Sequence, residues 1–123
     1  MIELPVFDLA PADASAELSA FLKLMADPTR RRIFLVLMNG ETCNCEMVGL
    51  LRLPQNLISH HLRQLRQAGL IRARRDAVDR RWIYYAVERD ALGRVQRELG
   101  LLFDPDRVGE RAPNCGPALK GCD

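Results

Sequence analysis

The feature that most constrains this chain is a helix with one apolar and one polar face, followed directly by an arginine-rich hairpin. Within 55–68 apolar residues recur at helical spacing: Ile58, Leu62 and Leu65, with Leu57 and His61 at the edge of the stripe. The opposite face holds side chains that can hydrogen-bond: Asn56, Ser59, His60, Arg63 and Gln67. Gly69 then supplies the residue type that commonly ends a helix. One face of this helix is predicted to pack on a core and the other to meet a polar partner.

A β-hairpin is predicted directly after this helix. Two β-prone runs, 70–75 and 80–87, flank a four-residue turn of sequence DAVD, and arginines lie on both sides of that turn. A helix fits the major groove of DNA, and an arginine-tipped hairpin beside it can reach phosphates or the minor groove.

Three helices are predicted before the polar-faced helix and one after the hairpin. The first begins near Asp13, and the second begins at Asp27-Pro28, where Asp can cap a helix and Pro suits its first turn. A short third helix is expected at about 45–51 and the last at about 90–103. This order predicts a fold that is mainly α with a small β-hairpin, a winged helix-turn-helix.

Positive charge is concentrated in the segment that holds this pattern. The whole chain has a formal net charge of only +2, but residues 28–82 contain eleven arginines and four acidic residues and therefore carry +7. A basic centre between acidic flanks indicates a polyanionic partner that meets one face of the molecule. Arginine, rather than lysine, favours bidentate contact with phosphates or guanine.

Double-stranded DNA is the partner that this combination predicts. A merely solvated helix face would explain each polar residue taken alone, but not the set followed at once by an arginine hairpin. The predicted DNA-binding residues are Gln55, Asn56, Ser59, His60, Arg63, Gln67, Arg74, Arg75, Arg80 and Arg81. A DNA-binding protein without sequence preference is an alternative.

The first and last helices carry apolar stripes with no evident partner in so small a domain. These stripes are expected to form a homodimer interface, which would match a palindromic DNA site. The interface residues predicted are Leu18, Phe21, Leu22, Met25, Leu92, Val95, Leu99 and Leu102. The two stripes could also cover each other within one chain.

Four cysteines are candidate metal ligands: Cys43, Cys45, Cys115 and Cys122. The first two stand one residue apart at a predicted helix start, where the helix terminus favours the thiolate that binds metal. Two such thiolates can hold a soft ion without completing its coordination shell, so further sulfur must come from the other two cysteines. The alternative is a small core residue at Cys43 or Cys45 and incidental thiols in the tail. His61 is expected to be a hydrogen-bonded histidine at the core edge, not a ligand.

Several motifs resemble those of the ArsR/SmtB metal-sensing repressors, in the same order along the chain. The opening signature is matched by 24–33 (LMADPTRRRI), the E-L-C-V-C-D metal box by 41–46 (ETCNCE), the recognition-helix signature by 59–71 (SHHL, then Leu65, Gly69, Leu70 and Ile71), and the returning wing strand by 82–85 (WIYY). The resemblance covers about 14–103. It implies a homodimeric winged-helix repressor, of the arsenical-resistance type, that leaves its operator when an inducer ion binds.

Two departures from the family pattern bear on the ion. Arsenic sensors of the family have a third cysteine three residues after the C-x-C pair, and Val48 stands there in this chain, so Cys115 or Cys122 becomes the expected third sulfur. Cadmium and lead sensors of the family recruit sulfur from outside the box, and four cysteines would allow a four-sulfur site. Many zinc sensors bind through Asp and His on the last helix, which has no histidine here.

The sequence therefore predicts a transcriptional repressor that As(III) or Sb(III) releases from DNA by binding Cys43, Cys45 and a tail cysteine. The first alternative is a repressor of the same fold whose inducer, Cd(II) or Pb(II), binds all four cysteines. The second alternative is a thiol redox switch. An enzyme is not expected, since the chain has no C-x-x-C motif and no catalytic constellation.

Three parts are predicted along the chain: an N-terminal arm at 1–12, the DNA-binding and dimerisation domain at 13–103, and a flexible cysteine-containing tail at 104–123. Uncharged stretches such as 33–40 are too short to cross a bilayer, and no signal sequence is evident. A cytoplasmic protein is expected.

Overall fold

Five α-helices and three short strands make up the computed structural model, which describes residues 12–111 and 116–117. Their order is α1 (Ala12–Met25), α2 (Pro28–Met38), β1 (Thr42–Cys43), α3 (Asn44–Leu51), α4 (Gln55–Gln67), β2 (Ile71–Arg75), β3 (Ile83–Val87) and α5 (Arg89–Leu102), with a 3-10 turn at Pro105–Arg107. This is the predicted winged helix-turn-helix, in which α3 and α4 form the helix-turn-helix and β2 and β3 the wing. The predicted arm at 1–12 lies, except for Ala12, outside the described residues.

The sheet has one strand more than the predicted hairpin. It is antiparallel with the order β1-β3-β2, and β1 pairs Thr42 with Tyr85 and Cys43 with Tyr84. A two-residue strand is too short to show alternation in a sequence, which is why the pattern did not predict it. The strand joins the C-x-C box to the wing.

The second wing strand is shorter than predicted. It begins at Ile83 and not at residue 80, because the chain turns back first: the Trp82 N–H donates to the Asp79 carbonyl at 3.1 Å. The carboxylate of Asp76 accepts from the N–H groups of Val78 and Asp79 and closes the tip. A side chain that caps its own turn favours the turn over a longer ladder.

The core lies between α2, α3, α4 and the sheet. It is built from residues that are almost wholly buried: Ile33, Phe34, Leu37, Met47, Ile58, Leu62, Leu65, Leu70, Ile71 and Ala91. The apolar stripe predicted for α4 is therefore confirmed. At the edge of that stripe His61 is buried and Leu57 is exposed.

Local hydrogen bonds fix the helix ends. Asp27 caps α2 by accepting from the N–H groups of Thr29 and Arg30, with Pro28 in the first turn, as predicted. Gly69, after α4, has a φ of +76°. Arg52, which ends α3, also has a left-handed φ of 55°, a conformation that favours glycine.

The first and last helices pack on each other within the chain. Leu18 of α1 and Val95 of α5 are 5% and 1% exposed, and Arg94 donates to the Glu17 carboxylate at 3.0 Å. These two apolar residues are covered inside one protomer, which matches the alternative that the two stripes cover each other within one chain. The dimer interface itself stays a prediction. The other stripe residues keep some exposure: Phe21, Leu22, Met25, Leu92, Leu99 and Leu102.

Candidate metal centre and nucleic-acid interface

Cys43 forms the N-terminal cap of α3. Its Sγ accepts from the Glu46 N–H at 3.4 Å, and the Glu46 carboxylate accepts from the Cys43 N–H at 3.1 Å. This reciprocal pair is a capping box in which sulfur takes the place usually held by a Ser or Thr hydroxyl. The C-x-C box therefore has a structural role at the start of a helix in addition to any ligand it binds.

The two thiols of the box lie in different environments. Cys43 is buried and Cys45 is exposed, and both are free. Burial, and next the neighbouring Cys45 thiol, raise the pKa of Cys43 to about 11, and the N–H of Glu46 offsets only part of this. The helix terminus favours the thiolate through the Glu46 N–H, as predicted, but desolvation outweighs it and the net shift of the pKa is upward.

A cleft of about 520 Å³ opens beside the box. Its walls come from the box, from the start of α4 and from the returning arm of the wing: Cys43, Asn44, Cys45, Gln55, Ser59, Arg81, Trp82, Ile83 and Tyr85. The box thus shares one concave surface with both elements that were predicted to contact DNA.

Three contacts connect the box to these elements. The β1–β3 pairing holds Cys43 against the wing. Arg74 of β2 donates from Nε to the Glu41 carboxylate at 2.9 Å, one residue before the box strand. Between the two cysteines, Asn44 donates from Nδ2 to the Ser59 Oγ on α4 at 2.6 Å.

Only two sulfur ligands lie within the described part of the chain. Residues 12–111 and 116–117 contain no group of three or more His, Cys, Asp or Glu side chains placed to hold a metal ion. The other predicted ligands, Cys115 and Cys122, lie outside the described residues. The box fits a soft ion in its donor type but leaves that ion's coordination shell incomplete.

The polar face of α4 is presented to solvent. Gln55, Asn56, His60, Arg63 and Gln67 are exposed, and Ser59 is half-buried at the edge of the cleft. His61 faces inward, where its Nδ1 accepts from the Arg30 Nε at 3.3 Å, and burial lowers its pKa. The prediction of a hydrogen-bonded core-edge histidine is confirmed.

Several wing arginines bind neighbouring groups. Arg74 pairs with Glu41 and stacks on the Tyr84 ring at 4.6 Å, Arg81 pairs with Asp79, and Arg75 donates to the Arg80 carbonyl. The side chains of Arg63 and Arg80 form no ion pair with any described residue. Since all of these pairs are exposed, phosphates can compete for the paired arginines at small energetic cost.

Sequence reasoning missed several residues of the site, among them Ile83 and Tyr85 in the wall of the cleft. Asn44 and Trp82 line the cleft, and Glu41 holds a wing arginine. One signal was available for Asn44, because the metal box that the chain resembles carries valine between its cysteines. Nothing in the sequence pairs Glu41 with Arg74, which is 33 residues away.

The described chain thus has the form of a winged helix-turn-helix regulator with a cysteine box beside its recognition helix. The family described as "Bacterial regulatory protein, arsR family" matches residues 27–73. The chain belongs to this family.

Two relatives and one solved structure are similar to this chain. The arsenic resistance transcriptional regulator ArsR1 of Pseudomonas putida is 45% identical over 64 residues, which cover 51% of this chain and 48% of that protein. An HTH-type transcriptional regulator of Methanocaldococcus jannaschii is 36% identical over 74 residues, 59% of this chain and 80% of that protein. An ArsR-like transcriptional regulator from Rhodococcus sp. RHA1 shares the fold with a TM-score of 0.66 at 23% identity, over 74% of this chain and 83% of that chain.

These comparisons assign the chain to transcriptional regulators and not to enzymes. The longest helices described have 14 residues, and none of the described helices meets the length and hydropathy that a membrane span needs.

Proposed function

We propose that this protein is a cytoplasmic, homodimeric repressor that binds operator DNA and leaves it when As(III) or Sb(III) binds Cys43, Cys45 and a cysteine of the tail, Cys115 or Cys122. The observation that carries the proposal is the shared cleft, because the C-x-C box borders both α4 and the wing. The arsenic resistance regulator among the relatives supports the choice of ion.

DNA binding is assigned to the exposed face of α4 and to the wing. Gln55, Asn56, Ser59, His60, Arg63 and Gln67 would read base edges or phosphates in the major groove. Arg74, Arg75, Arg80 and Arg81 would contact phosphates or the minor groove. A dimer places two such helices about 34–36 Å apart, one turn of DNA, which predicts a palindromic operator.

Dimerisation is assigned to the outer sides of α1 and α5. Leu22 is exposed on α1, and Leu101 and Phe103 are exposed at the end of α5. Leu101 and Phe103 were not among the residues predicted for the interface. Large apolar side chains exposed on the two helices that carry the stripes would be covered by a second protomer, so these three join the partly exposed stripe residues in the proposed interface.

Trivalent arsenic suits a site of three thiols. Arsenous acid carries three hydroxyl groups, and each As–O bond that breaks gives an As–S bond while the hydroxyl leaves as water with the thiol proton. Three thiols therefore balance one arsenic with no change in oxidation state. The box supplies two of these thiols, and the tail would supply the third.

Release of DNA requires unequal ion affinity in two shapes of the protein. Binding an ion removes the Cys43 thiol proton and draws Cys43 toward Cys45 and the tail, which disturbs the cap of α3 and the β1–β3 pairing. Both changes act on elements that position α4 and the wing. A coupling of about 1–3 kcal/mol would weaken operator binding by about 5- to 150-fold.

Arsenic K-edge absorption spectroscopy of the arsenite-treated, reduced protein tests the site directly. Three sulfur neighbours are expected in the wild type, and Cys43→Ser and Cys45→Ser should each lose one and bind more weakly. Comparing Cys115→Ser with Cys122→Ser identifies the tail ligand. Arsenic bound with an unchanged sulfur shell in Cys43→Ser would contradict the assignment.

Cadmium or lead is the second candidate inducer, favoured by the presence of four cysteines and by Val48 at the place of the third box sulfur. The intensity of the sulfur-to-metal absorption bands of the Cd(II) complex would correspond to four thiolates. Cys115→Ser and Cys122→Ser should each reduce that intensity by one thiolate. DNA release by peroxide in metal-free buffer would instead support a thiol redox switch.

A further inference from the structure

We propose that Asn44 is a positioning residue that couples the cysteine box to the recognition helix through Ser59. This inference rests on the proposed function and adds to it the contact through which the ion acts. Asn44 stands between Cys43 and Cys45, and its Nδ2 donates to the Ser59 Oγ at 2.6 Å. In the described residues it makes the only side-chain hydrogen bond that joins the box to α4.

The direction of this hydrogen bond determines what Ser59 can offer to DNA. A serine hydroxyl has one hydrogen to donate and two lone pairs. Asn44 occupies a lone pair, and no described residue accepts the hydroxyl hydrogen of Ser59. The amide therefore orients the hydroxyl so that its hydrogen remains available to a phosphate oxygen or a base acceptor.

Asn44 itself is only half satisfied. Its Oδ1 is buried and has no hydrogen-bond partner within the described part of the chain. An unpaired buried acceptor raises the free energy of this arrangement, so little is needed to move the amide away. Asn44 is joined by peptide bonds to both Cys43 and Cys45. When these two cysteines close on one ion, the backbone of Asn44 therefore moves with them.

The ion-free protein thus keeps the Asn44–Ser59 bond, and the ion-bound protein breaks it. Without the bond the Ser59 hydroxyl rotates freely, and its contact with DNA weakens. This makes a prediction with three parts for Asn44→Val. The variant binds operator more weakly without the ion, binds it as wild type does with the ion, and binds the ion itself at least as tightly.

The test measures operator affinity by fluorescence anisotropy for wild type, Asn44→Val, Ser59→Ala and the double variant. Valine is close in volume to asparagine, so the fold should survive, and thermal unfolding checks this. Without the ion each single variant should lose about threefold to tenfold in affinity, as expected for one hydrogen bond, and the double variant should lose no more. Combining Asn44→Val with His60→Ala is the matched control, because His60 lies on the same face without a contact to Asn44; those effects should multiply.

The results separate this inference from the proposed function. If arsenite releases wild type and Asn44→Val by the same factor, Asn44 does not transmit the signal and the inference is wrong, while the inducer site stands. If Asn44→Val and Ser59→Ala multiply, the two residues act independently and the inference is also wrong. If arsenite does not release even the wild type, the proposed function fails, and the coupling with it. Near-ultraviolet absorption of the arsenic–thiolate complex, without DNA, shows whether Asn44→Val still binds the ion.

Discussion

At the scale of single residues, Cys43 combines two roles, a helix cap and a proposed ion ligand. Its sulfur caps a helix while it is protonated and buried, and the same sulfur must lose its proton to bind an ion. Burial raises its pKa to about 11, so at neutral pH the free protein holds the thiol form. In the ion-free protein the protonated Cys43 therefore serves as a helix cap. An ion that binds there takes the place of the thiol proton.

This pKa predicts that the pH dependence of ion binding differs between inducers. Cd(II) must expel the Cys43 proton, so its apparent affinity should rise by at least about tenfold per pH unit from pH 6 to 8, well below the pKa of about 11. Arsenous acid takes up the same proton as water leaves, so its affinity should change little over this range. Isothermal titration calorimetry in buffers of different ionisation enthalpy measures the protons released. A large proton release with arsenite would contradict the expected exchange.

His61 predicts how stability depends on pH. Burial lowers its pKa in the folded state, and its Nδ1 accepts from Arg30 only when the ring is neutral there. The stabilisation is therefore present above the unfolded-state pKa of His and is lost as pH falls through the lower folded-state pKa. Urea unfolding at pH 7.5 and 5.5 should show a loss of stability on acidification that His61→Gln reduces. His60→Gln, at the exposed neighbour, serves as control; an equal effect there would contradict the assignment.

At the scale of elements, the turn between α3 and α4 contains a conformational cost. Arg52 adopts a left-handed φ of 55° where helix-turn-helix motifs often place glycine. Its exposed side chain makes no hydrogen bond within the described residues. No hydrogen bond of the arginine side chain therefore offsets the free-energy cost of the left-handed backbone.

Replacing this residue by glycine should stabilise the protein. Arg52→Gly removes the steric cost of the left-handed backbone, and we expect a gain of about 0.5–1 kcal/mol in the free energy of unfolding. Urea denaturation measures it. Arg63→Gly, with the same change of charge but in the interior of α4, is the matched control and should lose about 1 kcal/mol. Equal destabilisation by both would show that the turn is not strained.

The recognition helix and the wing should differ in what they contribute to DNA binding. His60→Ala should weaken binding to operator more than to random DNA, because a base contact carries sequence information. Arg80→Ala should weaken both alike and reduce the slope of log affinity against log salt by about 0.9, the loss of one phosphate contact. Anisotropy on both DNAs at several salt concentrations separates the cases. Equal losses for His60→Ala on both DNAs would contradict its assigned role.

At the scale of the whole molecule, the periodic elements could be predicted and the contacts between them could not. The stripe of α4, the cap at Asp27 and the arginine hairpin all follow from local rules, and each is found in the structure. The short strand β1 and the Asn44–Ser59 bond depend on segments brought together only by folding. Sequence spacing contains no direct trace of such contacts.

The interface residues show the same limit. An apolar stripe predicts that a helix is covered, but not whether its own chain or a partner covers it. For Leu18 and Val95 the covering helix is in the same chain. The assignment of ligands and of DNA contacts stays a prediction for the same reason, since it depends on groups that meet only in a complex.

The central claim is that an ion bound at the cysteine box releases the protein from DNA. The most direct measurement is fluorescence anisotropy of the reduced protein on its own upstream DNA, titrated with arsenite, for wild type and Cys43→Ser in parallel. We predict that wild type is released at about one arsenic per protomer with an affinity loss of about 5- to 150-fold, and that Cys43→Ser stays bound. Release of Cys43→Ser at the same arsenite concentration as wild type would contradict the account.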